Sequence, residues 1–265
     1  SSITVKMFDS NSVIDSIVDK LASAKTVMVT GLYQFDNFAN DYVLRPNGIA
    51  SVLKAEKEDN APEKRVELHL HTSLSAMDAI SSPTSLINRA AKWGHKAIAV
   101  TDHGVVQALP EANAAAKKAG IKLICGMEGY LVDDEKYPDF MNMKVRDFKR
   151  YHIIFLIRNL EGRKVLYKHI SASNIKYFKN RPLIPKSALR EHRNGIIIGS
   201  ACEQGEVYQA ILNGADDDEL DRIASFYDYL EIQPNGNNEF MLRTSNEEYI
   251  LTKKGEERKN VYWKV

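Results

Sequence analysis

The sequence has little of three things: cysteine, net charge and long apolar runs. Cys125 and Cys202 are the only cysteines in 265 residues, too few for a disulfide scaffold, so a reducing cytoplasm is the favoured compartment. Lys plus Arg number 36 and Asp plus Glu 35, which excludes a protein that coats nucleic acid by charge alone. No apolar run approaches the roughly 18 to 20 residues that span a bilayer, and the first residues lack a secretion signal, so no membrane association is expected.

The length and composition of the chain predict a folded protein of one or two domains. Hydrophobic residues make up 44% and charged residues 27%, as in ordinary globular proteins. Residues 54–65 are charged, contain a proline and lack aliphatic bulk, which predicts an exposed linker. Before the linker, β-branched and aromatic residues predict strands over residues 3–8 and 26–38, and apolar spacing predicts a helix over residues 13–21. These elements are too few for a complete barrel, so we interpret them as part of a small β domain.

After the linker, short apolar strands alternate with helices. Candidate strands are residues 66–70, 97–101, 123–127, 153–158, 196–200 and 229–233. Ser82 and Pro83 suit the start of a helix that ends at Gly94, and a second helix ends at Gly120. This alternation predicts an α/β fold with a mostly parallel sheet, either doubly wound or closed into a barrel.

The first of these strands carries a histidine pair. Alternation in a strand places Glu67, His69 and His71 on one face and the apolar residues on the other. Two adjacent histidines at the carboxyl end of a strand can chelate one metal ion. The alternative is a pair of surface histidines on an edge strand.

Further metal-ligand residue types occur at or near the ends of later strands. They are Asp78, Asp102, His103, Glu128, His152 and Cys202. Functional residues collect at the carboxyl ends of strands in parallel α/β folds, and this mixture of ligands suits zinc, manganese or iron better than magnesium or calcium. Each of these residues taken singly could instead be a helix cap, a hydrogen-bonded histidine or a small buried thiol. The other cysteine, Cys125, is interpreted as a small buried thiol.

The order of these residues resembles a known domain family. H-x-H-T-x-x-S-x-x-D begins at His69, T-D-H-G closes a strand at residues 101–104, and G-x-E follows at residues 126–128. The pattern resembles the polymerase-and-histidinol-phosphatase (PHP) domain. The segments VELHLHT, AAKWGHKAIAVTDH and FYDYLEIQP resemble more closely the form of this domain found in PolC-type replicative DNA polymerases of Gram-positive bacteria. Residues 3–53 likewise resemble the later part of the OB domain that precedes it there.

The resemblance implies a distorted (β/α)7 barrel with up to three divalent metal ions at its mouth. Zinc or manganese is expected, and iron is a further option. The positions that match family ligands are His69, His71, Asp78, Asp102, His103, Glu128, His152 and Cys202. The implied organisation is a partial OB-like domain over residues 1–53, a linker over 54–65, the PHP barrel over 66–238, and a tail or start of a further region over 239–265.

Two features depart from the family pattern. The family ends its ligand set with Asp-x-His or Asn-x-His on a late strand, whereas this chain has no histidine after His192. PolC-type polymerases also carry a proofreading exonuclease inserted after the G-x-E strand, and residues 133–152 are too short to contain one. Either the exonuclease lies elsewhere in the parent protein or it has been removed from this chain. Residues 240–244 also look joined to the preceding segment across a deletion.

Two functional classes remain open. In the first, the chain is a metal-stabilised, mainly structural module of a polymerase whose partners are DNA and other replisome subunits in the bacterial cytoplasm. In the second, the metals make it a phosphoesterase or 3′–5′ exonuclease. The missing late ligands favour the first, and a stand-alone histidinol-phosphatase-like enzyme is disfavoured by the OB-like leader. The chain contains no polymerase palm, so we expect that it cannot synthesise DNA by itself. We also expect the isolated chain to be a monomer.

Overall fold

The computed structural model describes residues 4–6, 17, 21–22, 24, 26–53, 55–75 and 78–242. The chain forms two compact units, Ser1–Asn60 and Ala61–Val265. The helix expected over residues 13–21 and the tail after residue 242 lie mainly outside the described residues. Among the described helices, none has both the length and the apolar character of a membrane-spanning segment.

The first unit contains a three-stranded sheet in the order β1-β3-β2. Its strands are β1 (Thr4–Val5), β2 (Val27–Asp36) and β3 (Asp41–Ser51). The β2–β3 turn is held by the Asp36 carboxylate, which accepts hydrogen bonds from the backbone N–H groups of Phe38 and Ala39. Strand β3 was not predicted, because Pro46, Asn47 and Gly48 lie inside it and such residues normally end strands. A bulge between Thr30 and Gly31 shifts the strand register opposite these residues.

The first two helices of the second unit begin and end as the sequence predicts. Helix α1 (Pro83–Lys92) is capped by Ser82, whose hydroxyl accepts a hydrogen bond from Ser85 N, and Gly94 follows it at φ 81°. Helix α2 (Leu109–Ala119) ends at Gly120, which has φ 71°. The two helices pack together over buried Ile87, Ala90, Ala112 and Ala115.

The sheet of the second unit has the order β4-β5-β6-β8, and β7 pairs with the far end of β5. The strands are β4 (Ala97–Val100), β5 (Lys122–Val132), β6 (Tyr151–Ile157), β7 (Leu183–Pro185) and β8 (Ile196–Gly199). Strand β6 runs antiparallel to both neighbours, which departs from the mostly parallel sheet that we predicted. The described connection before it, residues 133–150, contains only the short 3-10 helix Val145–Asp147, so β6 returns directly alongside β5.

The two outer segments of this sheet are less regular than predicted. Residues 66–70 and 229–233 were expected to be strands, but each joins the sheet through one isolated bridge. Glu67 bridges to Ile98 at one edge, and Tyr229 bridges to Gly199 at the other.

The described residues form five further α-helices in this unit, and the first four of them contribute buried apolar side chains to its core. The five helices are α3 (Leu160–Ile175), α4 (Lys186–Glu191), α5 (Glu206–Leu212), α6 (Asp217–Ala224) and α7 (Asn235–Asn238). The largest apolar cluster joins Leu131, Phe155 and Ile198 of the sheet to Leu166 of α3, all fully buried. Burial of each such side chain stabilises the fold by about 1.5 to 3 kcal/mol. The α/β class predicted from the alternation is confirmed.

Candidate metal centre

Two histidines of the centre lie on the extended segment at one edge of the sheet. Thr101 Oγ1 receives a hydrogen bond from Leu70 N (2.8 Å) and donates one to the Leu70 carbonyl (3.2 Å), which fixes Leu70 against the end of β4. His69 and His71 flank Leu70 and therefore project to the same side. Their Nε2 atoms lie 3.1 Å apart.

Glu128 on β5 lies at the middle of the centre and is fully buried. Glycines on either side let β6 approach this part of β5 closely. A Cβ at Gly126 would lie 2.4 Å from the Phe155 carbonyl oxygen, and one at Gly129 would lie 2.7 Å from the Phe155 ring. The G-x-E-G sequence thus holds the carboxylate on a closely packed strand.

Four histidine rings surround this carboxylate. Glu128 Oε2 lies 2.9 Å from His71 Nε2 and 3.0 Å from His103 Nδ1. The same oxygen lies 3.4 Å from His69 Nε2, and Oε1 lies 2.7 Å from His152 Nδ1. The turn after β4 brings His103 into this position, because Gly104 N donates a hydrogen bond to the Glu128 carbonyl (2.7 Å).

The geometry of these contacts fits metal ligation better than hydrogen bonding. Both Glu128 oxygens and His103 Nδ1 are buried without an aligned hydrogen-bond partner, despite the short distances to ring nitrogens. Ligand atoms that share an ion at about 2.1 Å lie about 3.0 to 3.4 Å from one another in octahedral or tetrahedral coordination. The separations around Glu128 fall close to this range, so the donor set fits divalent metal ions.

Asp78 extends the cluster from the loop that follows His71. Its Oδ2 lies 3.3 Å from His71 Nδ1 and 3.8 Å from His103 Nε2. Ser75 steadies the same loop, since its Oγ accepts a hydrogen bond from His103 N (3.1 Å) and lies 3.2 Å from His71 Nδ1.

Three overlapping groups among the described residues have ligand atoms within 4.8 Å of one another. The groups are His69, His71 and Glu128; His71, Asp78 and His103; and His103, Glu128 and His152. Because every group shares members with another, ions held by them would lie side by side.

Burial and contacts with the Glu128 carboxylate shift the pKa values of several residues in the centre. Burial alone would lower the pKa of His69, but the neighbouring carboxylates of Glu128 and Glu231 raise it to about 10. Burial opposes ionisation of Glu128, yet contacts with His152, His69 and His71 hold its pKa far below the usual range. Burial lowers the pKa of His103, and the nearby rings of His71 and His152 lower it further against the attraction of Glu128.

Two residues that match family ligands lie outside these three groups. The buried Asp102 carboxylate accepts hydrogen bonds from Thr72 N (2.6 Å) and Thr72 Oγ1 (2.8 Å), so it anchors the backbone just after His71. Cys202 Sγ lies 3.6 Å from His152 Nδ1, and burial raises the pKa of its thiol. The assignment of Asp102 and Cys202 as ligands stays a prediction.

The sequence analysis did not identify four residues near the centre. Glu231, on the segment after β8, contacts His69 Nδ1 through both carboxylate oxygens. The available signal was a single acidic residue within the last expected strand, residues 229–233. Tyr130, Arg150 and Arg181 carried no motif and are brought near the centre by folding alone.

A polar cleft of about 460 Å³ opens beside the histidines. Its lining residues are Asp78, His103, Tyr130, Arg150, His152, Arg181 and Gln204. The Tyr130 ring stacks on His103 with centroids 5.7 Å apart, and the Arg181 guanidinium lies 5.4 Å from the Tyr130 centroid. Two arginines beside a cluster of metal-ligand residues suit an anionic ligand such as a phosphate ester.

Comparison with known sequences gives relatives over nearly the whole chain. The chain is 28% identical to DNA polymerase III PolC-type of Clostridium perfringens over 436 residues, covering 93% of this chain and 30% of the relative. It is 26% identical to the same kind of protein from Caldanaerobacter subterraneus, covering 91% of this chain and 31% of the relative. The chain thus spans about 30% of the length of these relatives. The first alignment is longer than this chain, so that relative carries segments with no counterpart here.

A solved structure from Bifidobacterium adolescentis, classed as a metal-dependent phosphoesterase, is 15% identical, with a TM-score of 0.44 over 71% of this chain and 82% of that one. The sequence pattern of the PHP domain matches residues 67–235, which include all members of the three candidate ligand groups. Since this match covers more than half of the sequence, the chain belongs to the PHP domain family.

Proposed function

We propose that this chain is the metal-binding PHP region of a PolC-type replicative DNA polymerase III alpha subunit, with part of an OB-like domain before it. The similarity to PolC-type proteins over 93% of the chain supports this proposal. The parent protein synthesises DNA in the bacterial cytoplasm and meets DNA and other replisome subunits there. This chain serves mainly as a structural module of that polymerase.

The observation that carries the metal-binding part of the proposal is the buried Glu128 carboxylate. It lies among four histidine rings and has no aligned hydrogen-bond partner. His69, His71, His103, Glu128 and His152 would hold the metal, with Asp78 at the exposed side. Imidazole and carboxylate together suit zinc, manganese or iron. A bound divalent cation would offset the buried negative charge and link β4, β5 and β6 with the edge segment, thereby stabilising the fold.

Metal analysis and thermal unfolding of the chain test this role together. Protein purified without chelators should contain at least one equivalent of zinc, manganese or iron. Metal in thousandfold excess over Kd stabilises the folded state by about 4 kcal/mol, so removal by a chelator should lower the unfolding temperature reversibly. A chain that contains no such metal, and whose unfolding does not respond to added zinc or manganese, would contradict the proposal.

A second candidate function, hydrolysis of phosphodiesters, is favoured by the cleft that carries Arg150 and Arg181. The arginines would bind the anionic ester, and a divalent metal held by the histidines would supply Lewis-acid chemistry at phosphorus. Hydrolysis should be weak, because the Asp-x-His pair that closes the family ligand set is missing and each lost 1.4 kcal/mol of transition-state stabilisation lowers the rate about tenfold.

A labelled single-stranded DNA assay with added manganese separates the two functions. The comparison is between the wild-type chain and His71→Ala, with the folded state of each checked by circular dichroism. If the chain is mainly structural, the wild type should degrade no more of the labelled DNA than the variant does. Robust 3′-end degradation that the variant abolishes would make hydrolysis the main function.

A further inference from the structure

Glu231 contacts the ring nitrogen of His69 that faces away from the metal centre. Its Oε1 and Oε2 lie 2.9 Å and 3.0 Å from His69 Nδ1. The opposite nitrogen, Nε2, lies 3.1 Å from His71 Nε2 and 3.4 Å from Glu128 Oε2. Both partners are well covered, with 9% of the His69 side chain and 13% of the Glu231 side chain exposed.

This arrangement determines which nitrogen of His69 is available to a metal. An ionised carboxylate only accepts hydrogen bonds, so its contact with Nδ1 places the proton on that nitrogen. When the ring is neutral, as a metal ligand must be, its lone pair is on Nε2, the atom that points into the cluster. Glu231 lies on the far side of the ring and cannot reach an ion bound at Nε2 while it keeps this contact.

The backbone holds Glu231 in this position independently of His69. Glu231 N donates a hydrogen bond to Ser200 Oγ (2.8 Å), and Ser200 N donates one to the Tyr229 carbonyl (3.2 Å). Gln233 Nε2 donates to Glu231 Oε1 (3.1 Å) and thereby orients the carboxylate. These contacts hold the segment against the end of β8 without using His69.

We propose that Glu231 is a positioning residue, which fixes the tautomer and ring orientation of His69 so that Nε2 can ligate a metal ion. In this arrangement the Glu231 carboxylate acts through His69 instead of binding the metal itself. This inference rests on the metal binding proposed above. Carboxylates that orient metal-bound histidines typically contribute 10- to 100-fold to metal affinity.

The test measures Co²⁺ and Zn²⁺ affinity of the full chain by competition with a chromophoric chelator. Glu231→Gln keeps the size of the side chain and should weaken the tightest site 10- to 100-fold. Glu231→Asp retains a carboxylate and should have intermediate affinity. Glu239→Gln, which removes an exposed carboxylate eight residues away, is the matched control and should bind as the wild type does.

A double-mutant comparison separates a positioning residue from a direct ligand. In a His69→Ala background, Glu231→Gln should cause no further loss of affinity, because the ring through which it acts is gone. In addition, the ¹⁵N NMR signal of His69 in zinc-loaded protein should report a protonated Nδ1 in the wild type and a mixture of tautomers in Glu231→Gln. A purely structural role of Glu231 would leave this signal unchanged.

Three results would overturn the inference. If Glu231→Gln and Glu231→Asp both bind Co²⁺ and Zn²⁺ with wild-type affinity, the carboxylate has no role in metal binding. An equal loss in the wild-type and His69→Ala backgrounds would make Glu231 a direct ligand. Failure of the wild-type chain to bind Co²⁺ or Zn²⁺ would instead overturn the proposed function and this inference with it. If Glu231→Gln does not fold, as judged by circular dichroism, the Glu231→Asp measurements decide.

Discussion

At the scale of single residues, two buried carboxylates of this centre have different environments. Glu128 is a carboxylate in contact with four histidine rings and lacks aligned hydrogen-bond partners, as expected of a ligand. Asp102 is as deeply buried, but both its oxygens accept hydrogen bonds from Thr72. The same functional group thus has the environment of a metal ligand in one position and anchors a backbone turn in the other, and hydrogen-bond satisfaction distinguishes the two environments.

Glu128→Gln should remove at least one equivalent of bound metal, because Glu128 belongs to two of the three ligand groups. Loss of a buried charge partner should also lower the free energy of unfolding of the metal-free chain by about 3 kcal/mol. Elemental analysis and urea unfolding measure the two effects. Glu161→Gln, which removes an exposed carboxylate in the first turn of α3, should change neither quantity. Full metal content in Glu128→Gln would contradict the central place given to this carboxylate.

Asp102→Asn should lower stability more than metal content. One acceptor for Thr72 is lost from a buried site, which costs about 2 kcal/mol, whereas the ligand groups stay intact. Urea unfolding and metal analysis of the variant measure both quantities. If Asp102→Asn loses metal outright while it remains folded and stable, Asp102 is a direct ligand, as the family resemblance implies.

At the scale of elements, close packing between neighbouring segments determines where residues of the centre lie. A Cβ at Gly199, the last residue of β8, would lie 2.2 Å from the Tyr229 ring. The segment that begins at Tyr229 also carries Glu231, so the absence of a side chain at Gly199 allows this carboxylate to reach His69. The position of one contact in the centre therefore depends on packing at the end of another strand.

Gly199→Ala should displace Tyr229 and the segment after it, and so weaken metal binding without touching any ligand. Overpacking of this kind typically costs about 1 to 3 kcal/mol in stability. Gly236→Ala is the matched control, since a Cβ there meets no atom within 4 Å. Thermal unfolding and Zn²⁺ affinity of both variants provide the comparison, and equal behaviour of the two would show that the segment adapts freely.

Local signals in the sequence were sufficient for some elements and not for others. Ser82, Pro83 and Gly94 determine the ends of α1, because caps act within a few residues of the chain. The reversal of β6 could not be predicted, since it depends on residues 133–150 lacking a crossover helix rather than on the strand itself. In the centre, motif residues were found, whereas Glu231 and Arg181 come near it only through tertiary contacts between distant segments.

At the scale of the whole molecule, the candidate ligand groups found among the described residues belong to one of the two units. All members of the three ligand groups lie between residues 69 and 152, within the unit Ala61–Val265. The core that supports them, including Leu131, Phe155 and Ile198, belongs to the same unit. Nothing in the first unit is required to form the described contacts of the centre.

A chain shortened to begin at Ala61 should therefore keep its metal content and unfold in a single cooperative transition. Metal analysis and thermal unfolding followed by circular dichroism test this expectation against the full chain. Loss of bound metal in the shortened chain would show that the first unit contributes to the centre in a way that the described contacts do not include.

The antiparallel pairing of β5 and β6 has a consequence for how this fold can accept extra chain. Leu131 and Tyr151 are paired partners, so the connection over residues 133–150 leaves and re-enters the sheet at adjacent points. A folded domain with neighbouring termini can be inserted there without changing the strand register. Even for a flexible insert, each doubling of length adds only about 0.6 kcal/mol of closure entropy. Long and short versions of this connection can therefore coexist among relatives that share one sheet.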